Sequence, residues 1–69
     1  MDKEMFKRLV YLRYGNAEAF AKAYGTTRQN VRAFWKEGRR WTTPAVRKRL
    51  AKALDLSAIE YEEMFKDEQ

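Results

Sequence analysis

Three glycines and one proline are all the backbone punctuation in this 69-residue chain, and their positions constrain it more than any other feature. Gly15, Gly25 and Gly38 each close an amphipathic run, where a helix end favours a residue tolerant of positive φ. Pro44 follows Thr43, the arrangement of a proline in a first helical turn behind a capping hydroxyl. No segment alternates with period two for long enough to make a strand. The spacing therefore predicts an all-α fold, a compact bundle of about five short helices.

The first helix is expected from an Asp2 cap to about Tyr14, with Met5, Phe6, Leu9, Val10 and Leu12 as its apolar positions. The second covers about 17–24 behind Asn16, with Phe20, Ala21 and Tyr24 facing inward. The third covers about 28–37 behind Thr27 and buries Val31 and Phe34. The fourth runs from Pro44 to about Leu54, with Val46, Leu50, Ala53 and Leu54 on one stripe. The fifth opens on Ser57-Ala58-Ile59-Glu60, a capping-box pattern, and carries Ile59, Met64 and Phe65. Tyr61, Met64 and Phe65 either close the core or form a dimer seam. Met1 and residues 66–69 are expected to fray. Connections of two to six residues make successive helices neighbours within one domain, 1–69.

Charge narrows the function. Residues 1–53 hold 14 Lys or Arg against Asp2, Glu4, Glu18 and Glu37, a balance of +10. Residues 54–69 hold six acids against Lys66 alone, a balance of −5. A basic body with an acidic end points to a polyanionic partner, most often nucleic acid. The chain has no cysteine and no histidine, which excludes disulfides and the usual zinc spacings. It has no nucleophile–base pairing, no phosphate-cradling glycine loop and no carboxylate pair in an apolar setting, so no enzyme, metal or cofactor is expected. No apolar run approaches a membrane span and no signal-peptide pattern opens the chain. A cytoplasmic protein without membrane contact is the expectation.

The stretch AFAKAYGTTRQNVRAFW, residues 19–35, joins a plain alanine-rich helix to one armed with arginines and an amide. Only Gly25, Thr26 and Thr27 separate them, the length of a helix-turn-helix connection. With Val31 and Phe34 turned inward, Arg28, Gln29, Arg32 and, a turn later, Lys36 face out. Arginine pairs with guanine O6 and N7, and glutamine with adenine N6 and N7, when carried at the front of a helix in the major groove. Base contact is accordingly expected from Arg28, Gln29 and Arg32. Phosphate contact is expected from the helix N-terminus at Ala17, from Thr27, Asn30 and Lys36, and from Arg39 and Arg40 just past Gly38.

Residues 16–38, NAEAFAKAYGTTRQNVRAFWKEG, resemble the helix-turn-helix of the lambda-repressor-like family of phage Cro and repressor proteins. The likeness rests on the small Ala21, the turn Gly25, apolar Val31 and Phe34, and the closing Gly38. TTPAVRKRLAKALDL resembles the family's fourth helix, and SAIEYEEMF its closing segment. The resemblance implies a double-stranded DNA-binding transcriptional regulator of a phage or mobile element. It also implies a homodimer on a palindromic site.

Further expectations concern side chains off this face. Trp35 is expected against the fourth helix or its loop, or else in contact with a protein partner. Trp41 caps the core beneath the loop or reaches a DNA sugar. Lys22, Lys48, Arg49 and Lys52 are solvating charge, with Arg47 the nearest of the fourth helix's cations to a DNA backbone. The rival reading is a helix-turn-helix-derived protein-binding module, an antitoxin or an inhibitor of a host protein. Trp35 or the acidic C-terminal segment would then hold the partner. Single-stranded RNA binding ranks last, because no flat aromatic platform is evident.

Overall fold

A computed structural model describes residues 1–37 and 43–66. Among them are five helices and no strand: α1 (Lys3–Tyr14), α2 (Ala17–Tyr24), α3 (Arg28–Glu37), α4 (Pro44–Leu54) and α5 (Ala58–Phe65). Each begins where a short polar side chain can accept a backbone N–H that the helix itself leaves without a partner. Asp2 accepts from Met5 at 3.0 Å, Asn16 from Ala19 at 2.7 Å and Thr27 from Asn30 at 3.2 Å. Thr43 accepts from Val46 at 3.3 Å. Ser57 and Glu60 complete the capping box, each accepting the other's backbone N–H, at 3.1 and 2.9 Å.

Gly15 and Gly25 end α1 and α2 at φ +87° and +91°. The turn from α4 to α5 has no glycine. Asp55 takes the left-handed conformation there, at φ 53° and ψ 51°, so a fifth break joins the four that glycine and proline mark. A short polar side chain tolerates this region better than most.

Phe6, Phe20 and Phe34, one from each of the first three helices, form the middle of the core. Phe6 meets the rings of Phe20 and Phe34 edge-on at 5.7 and 5.5 Å between centroids. Such pairs add about 0.5–1.5 kcal/mol each beyond the area they bury. Val10, Val31, Leu50, Leu54, Met64 and Phe65 complete the fully buried set. Met64 and Phe65 therefore close the core, and Tyr61 packs on Phe65 at 4.9 Å.

Three expectations are corrected. Leu12 and Ile59 are each 75% exposed. At about 100° per residue Leu12 lies roughly 200° round the helix from Val10, and Ile59 about 140° from Met64, so neither can follow the inward stripe. The inward place at the end of α1 goes to Tyr14, whose hydroxyl donates to the Ala53 carbonyl. Met1 is not frayed: its side chain is buried, and the Asp2 N–H donates to the Met64 carbonyl at 2.7 Å. Trp35 packs on α1, and the loop residues 38–42, also expected to meet it, lie outside the described residues. Its indole lies 5.9 Å from Phe6 and 6.2 Å from Tyr11, with the Lys7 ammonium 5.9 Å from its centroid.

Candidate nucleic-acid interface

The site begins with the hinge. After Tyr24 the N–H groups of Gly25 and Thr26 both turn back to the Ala21 carbonyl, at 2.8 and 2.9 Å. This closes α2 and reverses the chain within three residues. Ala21 is buried at the crossing, where a longer side chain would force α2 and α3 apart. Thr27 then starts α3, and Val31 and Phe34 fix its inner face in the core.

That anchoring leaves Arg28, Gln29, Arg32 and Lys36 exposed. None of these four side chains is bonded to the described body, so their donors are available to a ligand. Arg28 and Gln29 border an open cleft together with Glu18, Lys22, Thr26 and Thr27. The cleft thus carries two cations and one carboxylate, and its field is positive. Thr27 is exposed on the same rim, its hydroxyl oxygen occupied as the α3 cap.

The other expected contacts are placed less uniformly. Asn30 is exposed, but its side-chain amide donates to the Thr26 hydroxyl at 2.9 Å. The bond ties the first turn of α3 to the hinge and fixes the amide's orientation. Ala17 has a buried side chain, so only the backbone N–H at the start of α2 can serve an anion. Gly38, Arg39, Arg40 and Trp41 lie outside the described residues.

Two arginines have roles that the sequence did not disclose. Arg13 reaches from α1 to the end of α4, donating to the Leu54 carbonyl at 2.6 Å and to Glu60 at 3.0 Å. Glu60 is held below the usual carboxylate range, first by the Ser57 backbone N–H and then by Arg13. Arg49 is more than solvating charge. Its guanidinium lies 4.4 Å over the Tyr24 ring and donates to the Tyr24 carbonyl at 3.1 Å. Arg47 is half-buried and already has an intramolecular partner. A local signal for such residues is absent, because each acts on a helix end far away in sequence.

Fold and site together define a class: a small all-α domain whose second and third helices form a helix-turn-helix with a cationic outer face. Comparison with protein-family models, curated proteins and solved structures finds no significant match to this chain. Among the described residues, no helix is long and apolar enough to cross a membrane.

Proposed function

We propose that this protein is a sequence-specific, double-stranded DNA-binding transcriptional regulator of the Cro or repressor type. The observation that carries the reading is α3 itself. One face is locked by Val31 and Phe34, and the other presents two guanidinium groups, a primary amide and an ammonium with no partner in the described body. Arg28, Gln29 and Arg32 would read base edges, each good bidentate pairing giving about 1–3 kcal/mol of discrimination. Lys36, Thr27, the opening amides of α2 and, outside the described residues, Arg39 and Arg40 would hold phosphates. Counterion release by these cations would make affinity fall steeply with salt.

The 10 residues of α3 span about 15 Å, less than the roughly 34 Å between successive major grooves on one side of a duplex. One copy therefore meets one groove, and a long site would need two copies on a palindrome.

The test is selection from a randomised duplex library with the wild type and with Arg28→Ala, Gln29→Ala and Arg32→Ala. The wild type should enrich one motif, and each variant should relax it at a different base position. Wild-type selection without enrichment, or variants that enrich the wild-type motif unchanged, would refute the reading. A second reading, a protein-binding module, draws support from Leu12 and Ile59, both large, apolar and exposed. Trp35 favours it less, since α1 covers part of the indole. Salt-insensitive binding to a copurifying protein, with no DNA motif, is its signature.

A further inference from the structure

Tyr24 occupies the most consequential position in the hinge. It is the last residue of α2, directly before the left-handed Gly25. Its ring stacks on Phe20 at 5.7 Å and meets Phe34 of α3 edge-on at 6.2 Å. Yet the ring is not closely packed all round. One surface hollow of about 180 Å³ lies between it and Asn30, Ala33 and Phe34, and a second, with Arg49 itself in its wall, lies towards Ala23, Lys52 and Ala53. Steric contact alone leaves such a ring latitude to tilt, and directional contacts must hold it.

Arg49 supplies two such contacts at once. The guanidinium carbon lies over the ring while an N–H donates to the carbonyl of the same residue. That carbonyl is one of the last of α2, which the helix cannot satisfy and where its dipole favours a cation. Lysine is a poor substitute for this pair of contacts, because its single nitrogen must serve both ring and carbonyl, whereas the guanidinium spreads its donors over a rigid fork. The base of the clamp is itself held. Leu50 and Leu54 bury α4, and its last turn is latched by the Tyr14 hydroxyl and the Arg13 guanidinium.

We infer that Arg49 is a positioning residue: it clamps Tyr24 at the end of α2 and, through the Tyr24–Phe34 contact, sets how α3 stands out from the body. Its consequence for DNA rests on the reading of α3 as the base-reading helix. The clamp itself does not.

Two measurements separate these levels. The first is amide hydrogen exchange of the free protein. Arg49→Ala should speed exchange at Gly25, Thr26 and Val31–Phe34 about tenfold, while α1 amides keep their wild-type rates. Arg49→Lys should resemble Arg49→Ala, and Arg49→Ala on a Tyr24→Leu background should add less than it does in the wild type, because the ring contact is already gone while the carbonyl contact remains. Unchanged exchange, full rescue by lysine, or strict additivity with Tyr24→Leu would overturn the clamp, whether or not the protein binds DNA. The second is affinity for the selected duplex and for a scrambled one across salt concentrations. Both Arg49 variants should weaken the selected duplex about five- to tenfold, leaving the scrambled duplex and the salt slope unchanged. A direct phosphate contact would instead weaken both duplexes, lower the slope by about 0.9 in Arg49→Ala, and be restored by lysine, which overturns positioning. Should the wild type select no duplex, the base-reading proposal fails and hydrogen exchange alone decides the clamp.

Discussion

Gly15 and Gly25 offer a controlled comparison of what a helix-terminating glycine contributes. A Cβ built at either position meets nothing within 4 Å, so the cost of alanine is one of backbone conformation alone. Gly25 sits at φ 91° and ψ 38°, on the edge of the left-handed region. Alanine there costs about 1–2 kcal/mol, offset by about 0.4–1 kcal/mol because alanine restricts the unfolded chain. The net loss for Gly25→Ala is then about 0.5–1 kcal/mol, which in a domain of this size lowers Tm by roughly 3–6 °C. Gly15 has φ 87° but ψ −30°, outside the left-handed island that L-residues visit. Gly15→Ala should cost about 2 kcal/mol and lower Tm by roughly 10 °C. Thermal unfolding followed by circular dichroism on the two variants gives the order directly. If the proposed reading of α3 as a base-reading helix is right, affinity for the selected duplex should reverse that order, because a relaxed Gly25 turn tilts α3 whereas Gly15 lies before α2. If Gly25→Ala melts at the lower temperature, the conformational argument is wrong and the hinge holds a contact that these distances do not contain.

Other perturbations test separate parts of the structure. Asp55→Asn should stabilise by about 0.5–1 kcal/mol, since asparagine is favoured in the left-handed region and a negative charge leaves the C-terminal end of α4; a lower denaturation midpoint would contradict this. The folded-state pKa of Glu60 lies below its ordinary value of 4.5, so its ionised form stabilises the fold fully above that value, and the contribution is lost as pH falls through the folded-state pKa. Melting wild type and Glu60→Gln across this range should show the wild type's advantage at neutral pH shrinking in acid; a constant gap would remove the Ser57 and Arg13 account. Leu12→Ser and Ile59→Ser should each change stability by no more than about 0.5 kcal/mol, and a large loss in chemical denaturation would place these side chains in an interface.

Helix boundaries were legible because their causes are local. Asp2, Asn16, Thr27, Thr43 and Ser57 each accept a backbone N–H three residues onward, a relation that sequence spacing states outright. Val31 and Phe34 were legible as the locked face of α3 for the same reason, and Arg28, Gln29 and Arg32 followed as its remainder. Leu12 and Ile59 misled because apolar character was counted before its angle round the helix. Asp55 was missed because glycine is only the commonest residue in a left-handed turn.

Arg13 and Arg49 were illegible for a different reason, and it bears on how the site works. Each projects from a helix with an ordinary amphipathic pattern and acts on carbonyls 41 and 25 residues away. The two contacts form a series: α1 holds the end of α4, and α4 holds the end of α2 at the hinge. A surface that reads base edges needs its helix held within a fraction of an ångström, and the core aromatics alone leave hollows beside Tyr24. The arginine contacts supply direction where packing is incomplete. Among the described arginines, Arg28 and Arg32 on α3 therefore have no partner in the described body, whereas Arg13, Arg47 and Arg49 are engaged inside it. Net charge counts both kinds alike, so it overstates how much of the basic body can meet a polyanion.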